Sequence, residues 1–349
     1  MNTIEQLEVG GSHREVGLAI GRRFAGQIHH VFDNYVFLQE QLLPFYHSPT
    51  GQDLYQTFLA QHKAHFAGYV AELEGMAQGA ERPFEEIFLV NLRGEWGGLM
   101  ALQRREDKGC TDCLVSTPDA ALIGHNEDGT PAAVGNVFVV RAQVGASPAF
   151  MALCYPGFLP GNAFGFNAAG IMHSADAVSP RQVRVGLARH FFARSLLDAP
   201  SLDDAIARVA ISGTAAGFVY NIGSLSERRV VSVEVSPERH HVHEVQGCYA
   251  HTNHYIHLAG VDQEIGASSQ ARLARAQALC QAAPTTSASH VLALLGDQAD
   301  PDYPIYRRAI PPDGAATLCS ALFDLDARQL RIYTGRPGLE SEPCVTLDL

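Results

Sequence analysis

The chain changes texture at Gly109-Cys110, and that change limits the folds open to it. On the N-terminal side, after a short β-like start, apolar residues recur at helical spacing over 16–43 and 54–79. Pro44 and the Ser48-Pro49-Thr50-Gly51 cluster separate the two stretches, and a third short helix is expected after Arg82-Pro83-Phe84, running to about Gly97. On the C-terminal side short β-runs take over at 113–117, 120–124, 136–144, 149–154 and 170–175, with Gly, Pro and Asn between them. Helical patterns at 187–197 and 202–210, the second opened by Ser201 with Asp204 in the capping-box place, give way to strands at 217–223, 229–235, 240–245 and 248–253. Helices at 268–282 and 287–295 and a hairpin over 317–324 and 329–334 complete the pattern. Runs of strands alternating with runs of helices point to layered α+β, not to a βαβ parallel sheet. The segment 299–316, rich in Pro and Asp, is expected to be irregular surface.

Composition narrows the function. With 349 residues, 46% of them apolar and 18% charged, the chain can bury a sizeable core. A formal charge of -12 argues against a phosphate-backbone partner, so no nucleic-acid binding is expected. Met1 to Glu8 has neither a basic start nor an apolar run, and no stretch approaches the roughly 20 apolar residues of a membrane span. The seven cysteines, 110, 113, 154, 248, 280, 319 and 344, are scattered and odd in number, which suits reduced thiols. A cytoplasmic protein with no membrane partner is the expectation.

The boundary itself carries chemistry. In Lys108-Gly109-Cys110-Thr111-Asp112-Cys113-Leu114-Val115-Ser116 a glycine precedes a cysteine at the start of a strand, and a glycine carbonyl is open to attack from one face. If the Cys110 sulfur adds to the Gly109 carbonyl and the thioester hydrolyses, Cys110 becomes a new N-terminus carrying a thiol and an α-amine. Their reference pKa values, about 8.5 and about 7.7 to 8.0, lie close enough for one residue to be nucleophile and base. A second strand delivers His125-Asn126-Glu127-Asp128-Gly129, where Asp128 can be either a turn residue or a carboxylate beside the amine.

Other constellations read less sharply. Cys110 and Cys113 spell C-x-x-C, but on a strand residues three apart point to opposite faces, and no second such pair completes a zinc site; Cys113 reads as core. His240, His241, His243, His251, His254 and His257 cluster in sequence without a carboxylate-rich ligand pattern, so no metal or other cofactor is expected. A serine-hydrolase elbow, a P-loop and a dinucleotide fingerprint are all missing from the sequence.

Gly109-Cys110-Thr111, Gly124-His125-Asn126-Glu127-Asp128, Gly165-Phe166-Asn167-Ala168-Ala169-Gly170 and His251-Thr252-Asn253-His254 form an ordered set that resembles the peptidase C45 family of N-terminal-nucleophile hydrolases, the family of acyl-CoA:6-aminopenicillanic acid acyltransferases. The resemblance continues through Glu72 to Ala77 and Asn91 to Glu95, which match the propeptide, and through Asp302 to Arg307, which match a late arginine segment. It implies a four-layer αββα sandwich and self-cleavage before Cys110. Residues 1–109 would then be the small subunit and 110–349 the large one, held together non-covalently as one catalytic domain. It further implies Cys110 as nucleophile, Asp128 beside the new amine, Asn253 as oxyanion donor, and Arg307 at the substrate. Two positions depart from the family pattern. Gly94 stands where Ser or Thr is usual, and Asp176 stands where an asparagine is expected, which bears on substrate choice. The expected activity is amide hydrolysis or acyl transfer on a small-molecule substrate through a Cys110 thioester. Acyl-CoA-dependent N-acylation is the alternative, and a non-catalytic or metal-binding protein that kept the fold is the alternative of another class.

Overall fold

A computed structural model describes residues 4–100, 109–282, 287–338 and 341–349. Lys108, at the head of the cleavage stretch, lies outside the described residues. The N-terminal part runs β1 (Glu5–Gly11), α1 (His13–Arg23), α2 (Ala25–Asn34), a π-helical turn over Leu38–Leu42, α3 (Leu43–Tyr46), α4 (Pro49–His65), α5 (Ala67–Ala80), α6 (Phe84–Asn91) and α7 (Arg93–Leu99). After Cys110 come β2 (Thr111–Ser116), β3 (Ala121–Gly129), β4 (Phe138–Val144), β5 (Phe150–Cys154), β6 (Phe164–Asn167) and β7 (Ile171–Ala177). Then follow α8 (Arg189–Leu196), α9 (Leu202–Val209), β8 (Phe218–Ser224), β9 (Arg229–Val235), β10 (His240–Glu244) and β11 (Gly247–His251). The chain closes with α10 (Ala267–Ala282), α11 (Ala288–Leu295), β12 (Ala316–Asp324), β13 (Gln329–Tyr333) and β14 (Val345–Asp348).

Among the described residues the strands form two sheets, one ordered β1-β4-β5-β6-β7-β8-β9-β10 and the other β11-β2-β3-β12-β13-β14. Helices α8 and α9 cover the outer face of the first sheet, where Phe192, Leu196, Leu202 and Val209 pack on Ala175, Tyr220 and Val233. Helices α10 and α11 cover the outer face of the second, where Leu273, Ala276 and Val291 pack on Cys113, Val115 and Leu122. The inner faces meet each other through Leu114 and Ile123 on one side and Met172 on the other. The result is the αββα sandwich.

The stretches expected as single helices over 16–43 and 54–79 are each broken. Phe24 (φ -113°, ψ 23°), Tyr35 (φ -85°, ψ 89°) and Phe66 (φ -133°, ψ 44°) leave helical geometry. Their aromatic rings satisfy the apolar period while tertiary packing sets the bend: Phe24 stacks on Phe138, and Phe66 sits against Phe191 and Phe192. Helix α1 starts at a full capping box, in which Ser12 Oγ accepts from the Glu15 amide and Glu15 accepts from the Ser12 amide. It then crosses α5 backbone against backbone. A Cβ on Gly17 would lie 1.8 Å from the Glu72 carbonyl, and one on Gly75 would lie 2.1 Å from that of Arg14.

Residues before the proposed cleavage point are built into the domain. β1 pairs with β4 in parallel over seven residues, Glu5 opposite Phe138 to Gly11 opposite Val144. The wholly buried Glu72 carboxylate takes Arg194 of α8 at 3.2 Å, and Asn91 bonds the backbone of Gly157 and Leu159.

Candidate active site

Strand register assembles the site. Thr111 lies opposite Asn126, so extending the ladder by two residues sets Cys110 opposite Glu127 and Gly109 opposite Asp128. Side chains alternate along a strand, and Cys110 and Asp112 therefore share the inner face with His125 and Glu127. Cys110 is buried, and its thiol donates to Glu127 Oε2 at 3.4 Å. His125 bridges two carboxylates, Nδ1 to Asp112 at 3.0 Å and Nε2 to the same Glu127 oxygen at 2.9 Å. Tyr155 donates to Glu127 Oε1 at 2.5 Å, and Ser174, across the inter-sheet gap, donates to Asp112 Oδ1 at 2.5 Å.

The other face is organised by two arginines. Arg307 donates to the Gly109 carbonyl at 3.1 Å, is clamped by both Asp313 oxygens at 3.0 and 2.9 Å, and lies 3.7 Å from Asp128 Oδ2. Asp128 Oδ1 accepts from Thr317 at 2.6 Å, while its Oδ2 makes no hydrogen bond among the described residues. Arg272 of α10 donates to the Cys110 carbonyl at 2.5 Å, to Thr111 Oγ1 at 2.7 Å and to Asn253 Oδ1 at 2.6 Å. A guanidinium only donates, so Arg272 dictates which end of the Asn253 amide faces it. Asn253 Nδ2 accordingly points to the Ala177 carbonyl, 3.0 Å away. Gly109 presses on this asparagine: a Cβ there would lie 2.0 Å from Asn253 Oδ1.

Gly109, Cys110, Asp128, Asn253 and Arg307, singled out in the sequence, thus converge. Asp176 is neither on a surface turn nor beyond its strand; it is fully buried inside β7 on the inner face, and its carboxylate lies within 4.8 Å of the Asp112 carboxylate and the His125 ring. His251 Nδ1 meets it at 3.1 Å and, through Nε2, reaches Glu234 at 3.4 Å. Glu127, His125, Asp112 and Arg272 were not singled out. A carboxylate and an imidazole at alternate positions facing a cysteine across a strand pair were the available signal for the first three. Arg272 sits in a helix of ordinary polar periodicity and left none.

The family model described as acyl-coenzyme A:6-aminopenicillanic acid acyl-transferase matches residues 115–339. Beta-alanyl-dopamine/carcinine hydrolase of Drosophila melanogaster is 30% identical over 370 residues, covering 98% of this chain and 95% of that one. The chain belongs to the acyl-coenzyme A:6-aminopenicillanic acid acyl-transferase family. Another member, the 40 kDa form of acyl-coenzyme A:6-aminopenicillanic-acid-acyltransferase from Emericella nidulans, is 28% identical over 294 residues, 81% of this chain and 79% of that one. Two solved structures are also similar: a mutant of conjugated bile acid hydrolase from Clostridium perfringens (TM-score 0.42, 11% identity, 69% of this chain and 92% of that one) and the Caenorhabditis elegans ortholog of N-acylethanolamine-hydrolyzing acid amidase (TM-score 0.42, 12%, 69% and 100%). Membership in the acyl-transferase family makes the chain an enzyme of amide and acyl chemistry.

In this acyl-transferase family member burial and ion pairing together set the charge states around Cys110. Burial, reinforced by Glu127, pushes the Cys110 thiol well above its ordinary value, and His125 pulls against it. Burial alone would depress His125, but the charge and hydrogen bond of Asp112, then Glu127, hold it well above the usual imidazole range. The same partnership keeps Asp112 below the usual carboxylate range despite its burial. Burial raises Asp128 to about 6 against the pull of Arg307 and Arg272, and raises Asp176 to about 7 with help from Asp112. His251 is carried up to about 9 by Asp176 and Glu234, which outweigh its burial.

Two features lie off this centre. Cys248 and Cys280 are disulfide-bonded, joining β11 to α10, where reduced thiols were expected, and Cys113 Sγ lies 3.8 Å from Cys248 Sγ. His243 and His241 stack on His257 with centroids 4.2 and 5.1 Å apart and ring planes within 18° of parallel. A ring nitrogen from each of the three lies within 4.8 Å of the others. No helix of the described residues is long and apolar enough to cross a membrane.

Proposed function

We propose that the chain cleaves itself between Gly109 and Cys110 and then hydrolyses small amides through a Cys110 thioester. The observation that carries the reading is the close approach at Gly109. Its carbonyl is hydrogen-bonded by Arg307, it rests on Asn253 where no side chain fits, and the next residue is a buried cysteine. After cleavage the new α-amine serves as base. Asp128 Oδ2, free of hydrogen bonds and opposite Gly109 in the strand register, is the carboxylate we assign to hold it. The space against Asn253 vacated by Gly109 would receive the substrate carbonyl, with Arg307, which already donates to the Gly109 carbonyl, at the substrate. Asn253 turns its Oδ1 to this space, so it serves as oxyanion donor only when its side-chain amide turns over once Gly109 has left.

The inner face suggests the acyl group. Asp112, Glu127, Asp176 and Glu234 outnumber the two imidazoles, His125 and His251, that pair with them there, so a cationic group gains from entering. The Drosophila relative is named for a β-alanyl amide, whose acyl part ends in an amine. We infer an aminoacyl amide as the substrate class, with water as acceptor. Acyl transfer from acyl-CoA to an amine, the activity in the name of the Emericella relative, is the competing outcome.

Intact mass of the purified protein tests the core of this reading. Wild type should give two chains, one ending at Gly109 and one starting at Cys110, that co-elute under native conditions. Cys110→Ala should give one chain. The same single full-length mass for both proteins would refute self-processing.

A further inference from the structure

Self-cleavage and turnover cannot use the same base. Before the peptide bond is cut, the nitrogen of Cys110 is an amide, has no free lone pair of useful basicity, and cannot take the thiol proton. The α-amine that the mature enzyme would use does not yet exist. Something else must move that proton in the uncut chain, and the side chains around the sulfur show what.

Resting on the self-cleavage reading, we propose that Glu127 is the catalytic acid–base of maturation, a role distinct from the turnover machinery. Glu127 Oε2 is the acceptor of the Cys110 thiol at 3.4 Å, within the reach expected of a base in a resting site. Its carboxylate is held from both sides, by Tyr155 at Oε1 and by His125 at Oε2, and His125 is in turn fixed by Asp112. The proton leaves sulfur for Glu127 as the thiolate attacks the Gly109 carbonyl carbon. Negative charge develops on the Gly109 oxygen, where Arg307 already donates at 3.1 Å. Collapse breaks the Gly109–Cys110 C–N bond, and Glu127 returns the proton to the departing nitrogen. The product is a Gly109 thioester on Cys110 Sγ with a free α-amine. Water then cleaves the thioester to a Gly109 carboxylate and the Cys110 thiol, and the remaining proton passes to the new α-amine to make the ammonium, so atoms and charge balance with no further reagent. Once the amine is present it takes over proton transfer, and Glu127 remains beside the sulfur.

Groups facing Glu127 come from several elements. They are Cys110 before β2, His125 of β3, Tyr155 after β5, and Cys319 of β12, while the Asp128 carboxylate acts on Glu127 only through space from the opposite face of β3. Of these Tyr155 can be changed without touching a base or the nucleophile. Its hydroxyl donates to Oε1 at 2.5 Å, so Tyr155→Phe removes a hydrogen bond that favours the ionised form of a carboxylate.

The experiment follows cleavage by intact mass after freshly refolded full chain is brought to each pH. Glu127→Gln should slow cleavage by about 10² or more, in the range of lost acid–base catalysis, and Glu127→Asp should stay within about tenfold of wild type. Tyr155→Phe should still cleave, with the acid limb of its rate profile moved to higher pH. Glu127→Gln cleaving at the wild-type rate would overturn the assignment and leave self-cleavage standing. Equal slowing by Gln and Asp would also overturn it, since packing and not the carboxylate would then matter. Should Glu127→Gln fail to unfold cooperatively, an acid limb unmoved in Tyr155→Phe would overturn it independently. A wild-type chain that never cleaves would sink both this inference and the reading beneath it.

Discussion

Asp176 is a carboxylate where the resemblance implies a neutral asparagine. Its carboxylate is fully buried on the inner face, paired with His251, and raised to about 7 by burial and by Asp112. A buried carboxyl near half-ionisation gains from a cation brought alongside, which lowers its pKa and adds attraction in a partly desolvated site. Asparagine of the same shape keeps a hydrogen bond to His251 but loses this gain. Asp176→Asn should therefore reduce kcat/KM for aminoacyl amides by about tenfold, on the scale of one weakly screened charge contact, while leaving neutral acyl amides nearly unchanged. A panel of paired cationic and neutral amides measures this directly. Equal preference in wild type, or an equal fall for both classes in the variant, would remove Asp176 from substrate choice.

At the scale of elements, α10 and β11 are what hold the nucleophile's surroundings together. Helix α10 supplies Ser269, which bonds Thr252 and the Asn253 amide, and Arg272, which bonds Cys110, Thr111 and Asn253. Strand β11 leads directly into Thr252-Asn253, and the Cys248–Cys280 disulfide spans the two elements across 32 residues. Closing a loop of that length stabilises by about 3 to 4 kcal/mol in the chain-entropy account. Cys280→Ser should lower the urea midpoint of the protein by a corresponding amount at unchanged m, and reductant should do the same to wild type but not to the variant; a midpoint indifferent to both would show that the bond carries no load. The expectation of reduced thiols missed this pair because sequence distance hides which strand and helix meet. Elements were legible where period and punctuation agreed, as at β8, β9, α10 and the β12–β13 hairpin. Helix breaks at Phe24 and Phe66 were hidden, since an aromatic ring keeps the helical period and the bend comes from tertiary packing. β6 was read as turn because Gly165 and Asn167 are turn residues, yet Asn167 spends its side chain on the carbonyls of Leu197 and Ala199. Within the site, the spacing from Cys110 to Asp128 was readable, whereas Glu127 required the pairing of Thr111 with Asn126 to bring it across from the thiol.

A cluster of buried acids and histidines lies in the layer between the sheets, with Asp128 on the outer face beside it, and these groups should set the response to pH. His251 is carried to about 9 by Asp176 and Glu234, Asp176 is raised to about 7 and Asp128 to about 6, mainly by burial. His125 is also held well above its ordinary value. In the unfolded chain these groups return to about 6.5 for histidine and about 3.9 for aspartate. Between about pH 6.5 and 9 the folded protein thus binds more protons than the unfolded one, and the unfolding free energy must fall as pH rises. Below about 6.5 the buried His62 and His173, both lowered to about 4, take up protons only on unfolding and oppose that trend. His251 contributes fully below about 6.5 and loses its contribution through about 9, a change on the order of 3 kcal/mol. Toward lower pH the trend reverses, because Asp112 and Glu234 are held below their ordinary values and their stabilisation is lost as they protonate. The measurement is best made on Cys110→Ala, whose chain stays whole and keeps Gly109 in place. Its urea midpoint should be highest near pH 6.5 and decline steadily to pH 9.5, and adding His251→Gln should flatten the decline above pH 7. A midpoint that rises between pH 6.5 and 9 would mean that the layer between the sheets is not protonated as its hydrogen bonds require.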